Sequence, residues 1–142
     1  MITIEKIDSS NFQRVIDFLK SVPSIEKIDE DILDNACIAC NDEKIVGCIS
    51  FEKYSDKGLI RYFVFKKVLA IEYLEDLMSC LEETAVNNGI NKLVCVAECS
   101  QIEELFKNLN FVPITQKNIF INEEHVLNTS FKSALFLTKP LH

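Results

Sequence analysis

The 142-residue chain contains no tryptophan, three glycines, three prolines and two histidines. It also lacks a run of about 20 apolar residues, the length that a membrane-spanning helix requires. Its first residues carry neither the basic segment nor the apolar core of a secretion signal, so we expect a cytoplasmic protein. We find no linker, repeat or low-complexity segment, and therefore expect one domain over residues 1–142.

Basic residues are also scarce: 15 Lys and Arg face 22 Asp and Glu, and the formal net charge is −7. Nucleic acids and anionic membranes are bound through basic surfaces, so we expect neither as a partner. An amine-bearing partner fits this charge better. Hydrophobic residues make up 48% of the chain, which predicts a folded core rather than disorder.

The chain has six cysteines, which an intracellular location would keep reduced. They are Cys37, Cys40, Cys48, Cys80, Cys95 and Cys99. Cys37 and Cys40 have the spacing of a metal half-site. Because residues three apart in a strand point to opposite faces, we expect no metal site there.

The centre of the chain is a predicted strand over residues 59–65 followed by a helix. The helix has apolar residues three and four apart from Ile71 onward, and Gly89 marks its end, since glycine tolerates the left-handed conformation. A strand, a short turn and a helix N-terminus together leave backbone N–H groups that can hold an anion.

The rest of the chain alternates short helices and strands. We predict helix starts at Ser9-Ser10 and at Ser24, a bulge or close backbone approach at Gly47, and a helix over residues 101–108. A turn is predicted at residues 122–125. The predicted strands cover residues 2–4, 36–40, 45–51, 59–65, 92–97, 118–121 and 130–138.

This order predicts an α/β fold with a mixed, mostly antiparallel sheet and helices on both faces. One central parallel crossover joins residues 59–65 to residues 92–97. We expect a ligand cleft at the C-terminal ends of these two strands.

Three parts of the chain carry a family resemblance: the hairpin Asn-Asp-Glu-Lys-Ile-Val-Gly at residues 41–47, the central strand and helix, and Glu-Leu-Phe-Lys-Asn-Leu-Asn-Phe at residues 104–111. Together they resemble the GCN5-related N-acetyltransferases (GNAT, acyl-CoA N-acyltransferase fold). The resemblance covers nearly the whole chain. It implies that acetyl-CoA binds along the central strand and the following turn. The implied cofactor-binding residues are Phe63, Val64, Phe65, Lys66, Lys67, Leu69, Ala70, Ile71, Glu72, Tyr73 and Leu74.

The chain departs from the family pattern at several positions. The turn signature Arg/Gln-x-x-Gly-x-Gly/Ala falls on Leu69, Glu72 and Leu74, so a carboxylate stands where a phosphate is expected. Lys66 and Lys67 would offset its charge. The tyrosine that protonates the leaving thiolate in many members falls on Phe106, which has no hydroxyl.

Candidate catalytic residues lie near the predicted cleft. Glu98 and Glu52 are candidate general bases, and Cys99 is a candidate nucleophile or thiol sensor. The alternative is that Glu98 is merely solvated beside a helix cap. Tyr73 is a candidate replacement for the missing tyrosine, and His125, in a polar turn, is not expected to be catalytic.

We therefore expect an enzyme that transfers acetyl from acetyl-CoA to a primary amine of a small-molecule or protein acceptor. Two alternatives stay open: a non-catalytic module of the same fold that binds a small molecule or protein, and a thiol sensor based on Cys99. The sequence does not indicate the acceptor or the oligomeric state.

Overall fold

A computed structural model describes residues 1–23, 25, 27–66, 69–97, 100–114, 120–121, 124–125 and 135–141. From β1 to α4 its elements follow the order expected from the sequence. They are β1 (Ile2–Lys6), α1 (Phe12–Lys20), α2 (Glu30–Leu33), β2 (Cys37–Asn41), β3 (Lys44–Tyr54), β4 (Lys57–Phe65), α3 (Ile71–Asn87), β5 (Lys92–Ala97), α4 (Ser100–Asn108), β6 (Val112–Ile114), β7 (Phe120–Ile121), β8 (Glu124–His125) and β9 (Leu135–Pro140).

Seven strands form one sheet in the order β1-β2-β3-β4-β5-β9-β6, and β7 pairs with β8 separately. Each neighbouring pair in the large sheet is antiparallel except β4 and β5, which are parallel and joined through α3. The predicted fold class, a mixed and mostly antiparallel sheet with one central parallel crossover, is confirmed.

Helices cover both faces of this sheet, and each face has its own core. On the α3–α4 face, the apolar stripe of α3 packs with residues such as Phe51, Leu93 and Phe106. On the α1–α2 face, Val15, Leu19 and Leu33 pack against the opposite sides of β2 and β3. Gly89, at φ +77°, ends α3 as predicted. Within the part of the chain described, no helix is both long and apolar enough to cross a membrane.

Both N-terminal helices begin later than predicted. The α1 helix starts at Phe12, because the Asp8 carboxylate rather than a serine accepts the backbone N–H groups of Ser10 and Asn11, at 2.8 and 3.2 Å. The α2 helix is a single turn capped by Asp29, which accepts the Asp31 N–H at 3.0 Å. Ser24, its predicted cap, lies outside the described residues.

The C-terminal third differs from the sequence-based prediction. Val112–Ile114 forms strand β6, which the prediction missed because of Pro113. Proline is tolerated there because β6 is the edge strand of the sheet. His125 lies in the two-residue strand β8 instead of a turn. The predicted last strand at residues 130–138 overlaps β9, and residues 130–134 are outside the described part.

The predicted irregularity at Gly47 is confirmed, and a close approach accompanies it. The β2–β3 register shifts so that Ala39 pairs with Gly47 and Cys40 with Ile45. A Cβ atom built on Gly47 would lie 2.9 Å from Cδ2 of Leu69, which is buried. Leu69 therefore occupies the space that a side chain at position 47 would need.

We expect Gly47→Ala to lower the free energy of unfolding by about 1–2 kcal/mol, because the added methyl displaces Leu69. In a Leu69→Ala background the same substitution should cost about 1 kcal/mol less. Urea unfolding of the four proteins measures this coupling. Gly58→Ala is the control, because its added Cβ would instead crowd Leu93 and Phe51. Its loss in unfolding free energy should be the same with and without Leu69→Ala. Additive losses in unfolding free energy for Gly47→Ala and Leu69→Ala would contradict the prediction.

Candidate active site

The β4 and β5 strands pair over three residues and then separate. Their parallel register joins Lys57 to Lys92, Gly58 to Leu93 and Leu59 to Val94. Beyond Leu59, β4 stays paired with β3, and β5 pairs with β9 along its whole length. The two strands therefore open a cleft at their C-terminal ends, as the sequence predicted, with one edge of β4 facing it.

The cleft has a volume of about 230 Å³ and borders α4. Its floor on the α3–α4 face is aromatic: the Phe106 ring meets Phe63 edge-on at 5.4 Å and Phe111 at 5.1 Å between centroids. Phe106 thus takes a packing position at the cleft. The cleft is lined by Ile60, Arg61, Tyr62, Phe63, Cys95, Val96, Ile102 and Phe106.

A bulge in β4 places two successive side chains on the α1–α2 face. The β3–β4 register runs from Cys48↔Val64 to Ser50↔Arg61, so β4 contributes one residue more than β3. Tyr62 adopts φ +54° in this bulge. An aromatic residue in this region costs about 1–3 kcal/mol of backbone strain, which the surrounding contacts must offset.

The Tyr62 hydroxyl supplies such contacts by tying the bulge to the segment before α2. It accepts the backbone N–H of Asp29 at 2.7 Å and donates to the carbonyl oxygen of Lys27 at 3.3 Å. Sequence analysis missed this residue, because tyrosine inside an apolar strand does not indicate a bulge.

The Arg61 guanidinium forms an ion pair with Glu52, with 2.5 Å between Nη1 and Oε1. Both side chains are partly exposed, at 39% and 28%. Burial, and then the neighbouring Glu52 carboxylate, raises the pKa of Tyr54 to about 12. Glu52, predicted as a candidate base, therefore contacts a residue of the cleft wall.

The turn before α3 is fixed by packing and by backbone hydrogen bonds. Lys66 N–H donates to the Val46 carbonyl at 2.8 Å, and Leu69 N–H donates to the Lys66 carbonyl at 3.0 Å. Leu69 and Leu74 are buried at 5% and 4% exposure, and the Leu74 N–H donates to Ala70. Neither leucine therefore offers an exposed side chain or an unpaired N–H group to a ligand, and their assignment to the cofactor site stays a prediction.

The α3 N-terminus has no side-chain cap, since Ala70 occupies the N-cap position. Among the described residues, the backbone N–H groups of Ile71 and Glu72 have no acceptor. Both side chains are exposed, as are those of Lys66, Ala70 and Tyr73. The Glu72 carboxylate lies in the first turn, where it complements the helix dipole.

The structure describes only some of the residues predicted for the site. Phe63 lines the cleft, and Val64 packs towards the α1–α2 face. Phe65 contacts the Phe63 ring at 5.3 Å between centroids. Lys67, Glu98 and Cys99 lie outside the described residues. The thiols of Cys37 and Cys40 join different cores on opposite faces, as expected for residues three apart in a strand. The described residues contain no cluster of metal ligands.

No family model and no curated protein matches this chain, but solved structures match it along its length. It is similar to N-acetylglutamate synthase from Neisseria gonorrhoeae complexed with coenzyme A and N-acetyl-glutamate, with a TM-score of 0.78 and 15% identity. The match covers all of this chain, which spans about a third (35%) of the synthase.

Two smaller proteins match from end to end. Rv2747 from Mycobacterium tuberculosis, in complex with CoA and NLQ, has a TM-score of 0.71 and 11% identity, over 99% of both chains. A GNAT-family acetyltransferase from Staphylococcus aureus Mu50 has a TM-score of 0.68 and 18% identity, over 100% of both chains. The chain therefore has the GNAT acetyltransferase fold.

We expect Tyr62→Phe to accelerate amide exchange at Asp29, because the substitution removes its acceptor while keeping the ring. The loss in overall stability should be about 0.5–1.5 kcal/mol. Hydrogen exchange read residue by residue measures both effects. Tyr54→Phe removes a hydroxyl from the neighbouring strand and is the control. Unchanged amide exchange at Asp29 in Tyr62→Phe would contradict a stabilising role for the hydrogen bond between Asp29 and Tyr62.

Proposed function

We propose that this chain, a single domain with the GNAT fold, is an acyltransferase that moves the acetyl group of acetyl-CoA to a primary amine. The observation that carries the proposal is the early separation of β4 and β5 beside an uncapped helix N-terminus. This leaves backbone hydrogen-bonding groups in a strand edge and in the first turn of α3. The similar structures that contain coenzyme A support the choice of donor.

In this proposal each part of the site has a separate role. The free edge of β4 binds the amide-bearing arm of acetyl-CoA, and the N–H groups of Ile71 and Glu72, with Lys66, bind its pyrophosphate. The aromatic floor around Phe106 keeps water from the thioester. The neutral amine attacks the carbonyl carbon, the C–N bond forms, and the C–S bond breaks.

Proton transfer requires a base on the amine side and a proton for the leaving thiolate. Glu52 is the described candidate base, and Glu98 and Cys99 remain proposed participants. Backbone N–H groups of β4 would stabilise the oxyanion. Phe106 has no proton to give, so the thiolate takes one from solvent or from another residue.

The alternative function is a non-catalytic module that uses the same cleft. Two observations favour it: the Phe106 ring is packed where a phenol would be needed, and Glu72 places a negative charge beside the open N–H groups. Donor binding and turnover distinguish the two functions.

Calorimetric titration with acetyl-CoA tests the donor site. Glu72→Gln should tighten binding about threefold to fivefold, because one like charge near the pyrophosphate is removed. Lys66→Glu should weaken it by a similar or larger factor. Asp76→Asn makes the same charge change one turn further along α3 and is the control.

The fragment acetyl-pantetheine, which lacks the pyrophosphate, should bind equally to all four proteins. Absence of acetyl-CoA binding at millimolar concentration would overturn the proposed function. Binding without acetylation of any amine would favour the non-catalytic module.

For the acceptor, we propose a small amine that also carries a carboxylate. An acceptor carboxylate would pair with Arg61, which lines the cleft, and release Glu52 to take the proton of the amine; both side chains are partly exposed. The N-acetyl-glutamate bound by the similar synthase, an acylated amino acid, supports this class.

We expect Arg61→Gln to raise KM for α-amino acid acceptors by roughly tenfold, because it removes the partner of the carboxylate. KM for the matching decarboxylated amines should not rise. Lys107→Gln breaks an ion pair with Glu103 on α4 and is the control. An equal rise in KM for both kinds of acceptor would mean that Arg61 does not bind the acceptor carboxylate.

A further inference from the structure

Two cysteines from different elements lie at one core cluster on the α3–α4 face, and neither lines the cleft. Cys37 of β2 is fully buried in this cluster, and Cys80 of α3 is half-buried and packs against it. Cys37 Sγ also lies 3.7 Å from the hydroxyl of Thr84, one helical turn after Cys80. The Thr84 hydroxyl donates to the Cys80 carbonyl at 3.0 Å, so Thr84 contacts both cysteine residues.

The surroundings lower the pKa of the Cys80 thiol. Lys6 is the cross-strand neighbour of Cys37, and its ammonium group reaches Glu83 at 3.1 Å on the same helix as Cys80. The interaction with Cys37, and then the Lys6 charge, lower the pKa of Cys80, while burial and the Glu83 carboxylate oppose this shift. The contact with Cys80, together with burial, raises the pKa of Cys37.

The remaining described cysteines have a different environment. Burial raises the pKa of Cys40 to about 11, and of Cys48 and Cys95 to about 12. All three are buried, whereas Cys80 is partly open to solvent. Because the thiolate is the reactive form of cysteine, Cys80 combines exposure with reactivity and has a second thiol beside it.

We propose that Cys80 and Cys37 form a peroxide-responsive pair that closes a disulfide between α3 and β2. The Cys80 thiolate attacks one oxygen of hydrogen peroxide, the O–O bond breaks, and Cys80 becomes a sulfenic acid; the hydroxide that leaves takes a proton from solvent and becomes water. The Cys37 thiol then attacks the Cys80 sulfur, the S–S bond forms and a second water leaves. Two thiols lose two electrons in total, and one peroxide gains them.

The disulfide would join residues 43 positions apart in sequence (80 − 37 = 43) and fasten α3 to the sheet. A dithiol reductant would reverse it by thiol–disulfide exchange. This proposal does not depend on acetyl-CoA binding, so it can fail or succeed independently of the proposed function.

The test treats the full-length reduced protein with stoichiometric hydrogen peroxide and maps its cysteines by peptide mass spectrometry. We expect a product lighter by two hydrogen atoms, with Cys37 and Cys80 in one cross-linked peptide. Its thermal unfolding temperature should rise and return to the starting value with dithiothreitol.

Variants separate the two steps of the reaction. Cys37→Ala should stop at the sulfenic acid, which dimedone traps on Cys80. Cys80→Ala should give neither the trapped adduct nor the cross-link, while Cys48→Ala is the control that retains both. In the unmodified protein, iodoacetamide should alkylate Cys80 at least tenfold faster than Cys40, Cys48 or Cys95.

Three outcomes would overturn the proposal. The first is a cross-link that uses any other cysteine, Cys99 included. The second is Cys80 alkylation no faster than that of the buried thiols. The third is oxidation of Cys80 to sulfinic acid with Cys37 still reduced, because a neighbouring resolving thiol would react first.

Discussion

Among the described residues, the backbone of β4 beyond Leu59 has a strand partner on one side only, and the arrangement of the site follows from this. The β3 ladder continues to Phe65, while β5 is paired with β9 instead. Backbone donors and acceptors in a partly buried edge need partners, so this edge favours a ligand with its own amide groups. The bulge at Tyr62 bends β4 and helps to keep the edge open.

The bulge also divides the cleft into two chemical halves. In a regular strand Arg61 and Tyr62 would point to opposite faces, but the extra residue turns both towards the α1–α2 face. Ile60 and Phe63 stay on the α3–α4 face and pack with the aromatic floor. One side of the opening is therefore apolar and the other charged, without any change in the sheet order.

Sequence patterns predicted the elements whose side chains alternate or repeat regularly. The apolar stripe of α3 was correct from Leu74 onward, because periodicity reports burial directly, whereas Ile71 at its start is exposed. The irregular positions could not be predicted. The bulge at Tyr62 depends on a tertiary hydrogen bond to Asp29, and the short α2 depends on which acidic residue caps it. For Glu98 and Cys99 the site predictions stay predictions.

Leu69 explains how the turn before α3 keeps its shape without glycine. Alignment to the family signature suggests a ligand contact at this position, yet the side chain is buried against Gly47 and packs with Ala39 and Val46. The buried Leu69 side chain thus holds the turn in place and leaves the α3 N-terminus exposed. As an apolar residue, it adds no positive charge there. Phosphate binding would then rest on two backbone N–H groups and Lys66, opposed by Glu72 and by a net charge of −7. Such a site would be sensitive to salt, so the strand edge of β4 would have to supply most of the affinity for acetyl-CoA.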